Sequence, residues 1–343
     1  MGDYDVPAHF LLSHVIHNKI IKPKPITART IEIGAKYSPE FVCTPFKYTL
    51  GTLIEGLEQG AKILIQAGGG CRYGYYAELQ EQIIQDLGYD CKVYNLVTAG
   101  KTDIKRIYHI IKEIDPKASI LKALYYGRIT KKMVQYMDFI DHYIRENIGF
   151  EIEKDSFLNL KEEMLLKFSK VKSCYQLKKV YLKYKKKFER IPIKKPERPL
   201  KIGIIGELYT IMEPYSNYEL ERTLASMNFE IKRFTNVTYL LFEKHKKTKQ
   251  YLKDASDYIT YKMGADAIDN IARAKELCLQ GYDGIIHIKS SFCTPEISAM
   301  PIISKVCNDY NVPLLFFSFD TGTSEVGMKT RLEAFYDMLE MRR

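Results

Sequence analysis

Short apolar runs alternate along the chain with segments whose apolar residues recur every three or four positions, most clearly in the C-terminal half. The runs at 200–205 (ending at Gly206), 229–234, 284–288 and 313–319 read as strands, and the periodic segments at 218–227, 265–280, 296–308 and 324–341 as helices. Such alternation predicts an α/β fold built on a parallel sheet. The N-terminal third repeats the rhythm on a smaller scale, with strands expected at 41–42, 62–66 and 92–96 and helices at 48–58, 75–87 and 104–114. No strand pattern appears between 120 and 188. There a stripe through Leu160, Met164, Leu165, Phe168, Val171, Cys174, Tyr175, Leu177, Val180 and Tyr181 predicts a helix from Ser156 to about Phe188, and the whole region reads as a helical insertion packed beside the first domain. Pro192, Pro196 and Pro199 each remove a backbone donor and disfavour helix before them, so 191–199 reads as a linker. The expected organisation is an N-terminal α/β domain over 1–119, a helical insertion over 120–190, the linker, and a C-terminal α/β domain over 200–343.

Composition narrows the function classes. No apolar run in the 343 residues approaches the ~18 needed to cross a bilayer, which argues against a membrane protein. The first residues lack a basic leader region and a small-residue cleavage site, so a cytoplasmic protein is expected. The net charge of +10 draws heavily on the lysines and arginines between Lys161 and Lys201. No helix-turn-helix, zinc-finger or RNA-recognition signature accompanies them, so a solvated helix face is preferred to nucleic-acid binding. Seven cysteines in a reducing compartment are thiols or metal ligands rather than disulfides, and none forms a Cys-x-x-Cys pair.

Three of the cysteines share one kind of setting. Cys43-Thr44-Pro45 and Cys293-Thr294-Pro295 repeat a tripeptide, each after an expected strand and before a helix. Proline near the first turn places the preceding cysteine beside the helix N-terminus, where unpaired amides and the dipole favour thiolate. Cys71 follows Gly68-Gly69-Gly70, a run that permits close approach to the backbone, as a loop folded round an iron–sulfur cluster requires. All three lie at the strand edge where open α/β sheets bind ligands, so they are expected to meet in the interdomain cleft. Cys91, Cys174, Cys278 and Cys307 read instead as small buried hydrophobes. Ala99-Gly100-Lys101-Thr102 lacks the glycine a phosphate loop needs, because Asn95 stands there, and the glycine run lacks dinucleotide spacing.

The segments Cys43–Gly51, Ala67–Tyr76, Phe292–Glu296 and Phe317–Phe335 resemble the acyl-CoA dehydratase activase-related proteins. These belong to the 2-hydroxyacyl-CoA dehydratase and benzoyl-CoA reductase superfamily, which includes the double-cubane cluster proteins. The resemblance runs from about Ile26 to the end. It implies two Rossmann-like domains and a [4Fe-4S] cluster held by Cys43, Cys71 and Cys293, with one iron site open. It also implies electrons from a separate ATP-dependent iron–sulfur activator, an acyl-CoA thioester or another small molecule as substrate, and a homo- or heterodimeric assembly. Beside such a cluster, Gly69 and Gly70 would wrap it, Lys47 and Arg72 would offset its charge, and Tyr73 and Tyr75 would donate hydrogen bonds. Glu207 and Glu296 are the candidate catalytic acids or bases, with a salt bridge and a helix cap as their structural alternatives. His287 reads as a satisfied core histidine. A non-catalytic electron carrier or maturation protein, and a double-cubane reductase of small molecules, stand as alternative functions.

Overall fold

The computed structural model describes residues 2–68, 71–98, 101–102 and 104–342. The chain forms two compact units. One comprises residues 8–127 with 290–292, the other residues 1–7, 128–289 and 293–343.

In the first unit, β1 (Ile63–Gln66) and β2 (Lys92–Asn95) pair in parallel, with Ile63 opposite Lys92 and Gln66 opposite Asn95. The helix Tyr76–Asp86 connects them and buries Tyr76, Ala77, Gln80 and Ile84, a βαβ arrangement. β3 (Val97–Thr98) and β4 (Lys101–Thr102) form a short antiparallel ladder. The expected helix at 104–114 is present as Ile104–Ile114. The helices Ala28–Tyr37 and Thr44–Glu58 cross so closely that a Cβ on Gly34 would lie 1.8 Å from the Lys47 carbonyl oxygen, and one on Gly51 1.9 Å from that of Thr30. Buried Gln80 locks this crossing to the strands, accepting from Gln66 Nε2 (2.8 Å) and donating to the Phe46 carbonyl (3.1 Å) and Thr49 Oγ1 (2.7 Å). Ser290 belongs to this unit and accepts from the Thr44 amide at 2.9 Å.

The expected strand at 41–42 is absent. The Val42 amide donates to the Pro39 carbonyl at 3.4 Å, closing a turn, and Phe41 is exposed: two apolar residues with no neighbouring strand cannot build a ladder.

The second unit is organised on β5 (Leu200–Gly206), β6 (Phe229–Arg233), β7 (Gly284–Ser290, its last residue counted with the other unit) and β8 (Leu314–Phe319), in the order β6-β5-β7-β8. β5 pairs in parallel with both neighbours, Ile202 facing Ile231 on one side and Gly284 on the other. β7 is buried along its whole length, as a central parallel strand covered on both faces should be. Ile202, Ile204, Ile286 and Ile288 pack with Leu220, Leu224, Leu332 and Phe335, while Ile205 and Ile285 pack with Ile271, Leu277 and Ile303. Alternate residues of the same strands thus feed two separate cores.

The single helix expected over 156–188 is two, Ser156–Phe168 and Cys174–Phe188. Ser173 caps the second by accepting from the Gln176 amide at 3.2 Å, and a cap of this kind restarts a helix without interrupting the apolar stripe. From Arg128 onward this helical region belongs to the same compact unit as the C-terminal sheet: Arg145 Nε donates to Glu221 Oε2, on the helix Leu220–Ser226, at 2.9 Å, and Glu151 bridges to Ile193 in the linker. Sequence periodicity also passes over the π-helical turn Tyr239–Glu243 and the helix Lys244–Asp254, whose lysines mask any apolar stripe. No helix is long and apolar enough to cross a membrane among the described residues.

The close crossing makes a sharp contrast between two glycines. Gly51→Ala is expected to destabilise the protein by about 1–3 kcal/mol, because its methyl meets backbone that cannot move aside. Gly127→Ala, in open space on the helix Ile120–Asn147, is expected to be neutral or stabilising by up to ~1 kcal/mol. Urea denaturation of the two variants measures the difference.

Candidate functional site

The carboxyl ends of β5 and β7 carry a cluster of buried polar groups. Gly206 ends β5 at φ +137°, and a Cβ there would lie 1.8 Å from the Ile288 carbonyl oxygen, so only glycine lets the strands meet. The next residue, Glu207, donates its amide to that same carbonyl at 2.9 Å. Its carboxylate turns back to cap the helix Leu208–Met212, accepting from the Tyr209 amide (2.8 Å), the Thr210 amide (2.9 Å) and Thr210 Oγ1 (2.6 Å). Burial nevertheless pushes this carboxyl up to about 7, with nearby Asp266 adding to the shift and the three hydrogen bonds opposing it.

Glu296 lies in the first turn of the helix Thr294–Asp309 and is 1% exposed. His287 Nε2 sits 2.7 Å from its Oε2, and Asn270 Nδ2 lies 3.0 Å from both carboxylate oxygens. Asn270 Nδ2 also donates to the Gly206 carbonyl at 3.0 Å, tying the end of β5 to Glu296. Two residues beyond His287 on the same face of β7, Lys289 is also buried. Burial lowers its ammonium pKa, while Cys293 and Glu296 act in the opposite direction. Within this group Glu207 can exchange a proton near neutral pH.

Cys43, Cys71 and Cys293 are all half-buried, whereas Cys91, Cys278 and Cys307 are buried. Cys174, expected to be buried, is half-buried at the head of its helix. Cys43 and Cys293 occupy the same position: each is the N-cap of its helix, with proline in the first turn. Cys43 Sγ lies 2.8 Å from Tyr76 Oη, and the Tyr76 ring is held edge-on to Phe46 at a centroid distance of 4.8 Å. The Cys71 carbonyl accepts from the Gly74 amide at 3.0 Å and opens the 3₁₀ turn Arg72–Tyr75. Cys278 and Cys307 touch in the core, where the Cys278 hydrogen bond and burial push the Cys307 thiol far up. Half-buried thiols at helix N-termini have the chemistry of cluster ligands, unlike the core pair. Among the described residues no three His, Cys, Asp or Glu side chains gather to hold a single metal ion.

Of the other expected site residues, Lys47 is buried on the helix that Cys43 caps, and Tyr75 is largely exposed. The side chain that reaches Cys43 is Tyr76, one position along. Gly69 and Gly70, and the side chains of Arg72 and Tyr73, lie outside the described residues. His287 is a core histidine paired through Nε2 with Glu296, but its Nδ1 has no hydrogen-bond partner among the described residues, so it is satisfied at one nitrogen alone; the Glu296 partnership and the part of Asn270 escape sequence reading. The available signal was the pair His287 and Lys289, polar at alternate positions of an otherwise apolar strand.

Residues 241–339 match the family described as 2-hydroxyglutaryl-CoA dehydratase, D-component. No curated protein matches the chain.

The Glu207 environment sets a pH dependence. Its carboxyl is raised from the usual 4.5 to about 7, so between those values the folded protein binds the proton that the unfolded chain has released. Stability therefore falls as pH rises through that window, by on the order of 3 kcal/mol from this group. Glu207→Gln is expected to flatten that slope, measured as urea midpoints between pH 5 and pH 8.

Proposed function

We propose, from the premise that the match over residues 241–339 supports membership of the 2-hydroxyacyl-CoA dehydratase superfamily, that this chain is an iron–sulfur component of reductive or radical chemistry on an acyl-CoA thioester. It holds one [4Fe-4S] cluster through Cys43, Cys71 and Cys293 and receives low-potential electrons from an ATP-dependent activator. The observation that carries the reading is the duplicated Cys-Thr-Pro, in which Cys43 and Cys293 each cap a helix. Amides and dipole at both caps favour thiolate, the form that ligates iron. Tyr76 Oη, 2.8 Å from Cys43 Sγ, donates to that thiolate and tempers its charge. When bound, such a cluster supplies one-electron transfer. Glu296 is hydrogen-bonded to His287, and Glu207 is poised to give or take a proton near pH 7.

The near-complete burial of Glu296 and His287 favours a second reading, in which both serve only to shape the strand ends and the chain passes electrons on without binding substrate. The first reading expects acyl-CoA to alter the paramagnetic resonance spectrum of the reduced cluster, and an electron carrier would leave that spectrum unchanged.

Protein purified without oxygen is expected to contain about four iron and four sulfide per chain. Alanine at Cys43, Cys71 or Cys293 should abolish or severely reduce that content, whereas alanine at Cys91, Cys174, Cys278 or Cys307 should leave it intact. Reduction of the cluster by an activator should require ATP. Retention of iron after Cys43→Ala together with its loss after Cys307→Ala would reverse the ligand assignment.

A further inference from the structure

The helix Cys174–Phe188 buries Leu177, Tyr184 and Phe188 along one side. At about 100° of turn per residue, the opposite side carries Tyr175, Lys178, Lys179, Leu182, Lys183 and Lys186 within roughly 140° of arc, and all six are exposed. The helix contains no aspartate or glutamate. At the edges of this face Lys185 pairs with Glu189 and Lys187 with Glu163. Lys178, Lys179, Lys183 and Lys186 form no ion pair among the described residues. Lys179 and Lys183 stand one turn apart, where like charges repel. The turn before the helix adds exposed Lys170 and Lys172 at the Tyr175 end.

Two residues on this face do not fit a merely solvated surface. Tyr175 is 77% exposed and Leu182 45%, and both lie on the side away from the buried stripe, so packing of the helix gives no reason for either. Covering them with an ordinary protein surface would strip water from the lysines between them, which is costly unless the covering surface is itself anionic. The surface that fits both features has anionic groups outside and an apolar layer just beneath. There the ammonium groups meet phosphates, a tyrosine sits at headgroup depth, and a leucine reaches past it.

We infer that this face adsorbs reversibly to an anionic phospholipid bilayer, with Lys178, Lys179, Lys183 and Lys186 at the lipid phosphates and Tyr175 and Leu182 entering the headgroup layer. Duplex nucleic acid offers the same phosphates but no apolar layer for Leu182. The protein lies on such a membrane rather than in it, and attachment through lysines and two small anchors is salt-sensitive. The inference stands apart from the iron–sulfur reading and survives its failure.

The test is co-flotation of the full-length protein with vesicles of phosphatidylcholine alone, or with about 30% phosphatidylglycerol. Each mixture is run at about 0.1 M and about 1 M salt. The protein should float with the anionic vesicles at low salt, stay behind with phosphatidylcholine, and be released at high salt. Lys179→Glu combined with Lys183→Glu should weaken binding by about tenfold or more. Tyr175→Ser combined with Leu182→Ser should weaken it severalfold while keeping the salt dependence. Far-ultraviolet circular dichroism checks that each variant folds, and should the charge reversal unfold the protein, Lys178→Gln with Lys186→Gln is expected to weaken binding severalfold and then decides the matter. Four results would overturn the inference: no flotation with anionic vesicles, equal flotation with phosphatidylcholine, unchanged binding in the folded variants of either kind, or tighter binding of a short DNA duplex through the same lysines.

Discussion

The C-terminal unit depends on one constraint: the carboxyl ends of β5 and β7 are joined through polar groups buried between them, each of which leans on another. Gly206 lets the two strand ends touch, the Glu207 amide takes the Ile288 carbonyl, and Asn270 joins the Gly206 carbonyl to Glu296. His287 joins the set through Nε2, while its Nδ1 and Asn270 Oδ1 have no hydrogen-bond partner among the described residues. Removing one member would leave another uncompensated in a low-dielectric interior, where the loss exceeds the net worth of the bond that held it. The same web leaves Glu207 with an elevated pKa, because its hydrogen bonds only partly offset the cost of burying its charge.

Cysteine environments divide by the same physics. Cys278 and Cys307 are packed into apolar core, where charge is disfavoured and the thiol of Cys307 is held protonated. Cys43 and Cys293 stand at helix N-termini, where amides lacking intrahelical partners favour an anion. One residue type is therefore a packing element in one place and a ligand candidate in another, and the backbone around it makes the difference.

Two half-buried lysines of the C-terminal unit are well answered. Lys161 is held by Asp3 and Asp141, each at 2.7 Å, and Lys244 by Asp266 and Asp269. Arg273 is held differently, covered by ring faces and hydrogen-bonded to a single hydroxyl, with Asp269 as a charge neighbour.

Much of the fold was legible because its signals are local. Apolar runs marked all four strands of the C-terminal sheet, and the helix at 104–114 follows from its own periodicity. The duplicated Cys-Thr-Pro announced two helix caps for the same reason, since proline and a cap act on their nearest neighbours. What the sequence left open is what depends on a partner distant in the chain. Residues 41–42 have strand character but no strand beside them, and the stripe through 156–188 does not reveal that Ser173 divides it. Tyr76 rather than Tyr75 reaches Cys43 because a 3₁₀ turn shifts the helix phase. Tertiary structure alone decided that His287 would meet Glu296 and that Arg273 would be buried with two nitrogens unpaired. Periodicity reports which face of an element is buried, and hydrogen-bond pairing in the interior is settled only when those faces close on one another.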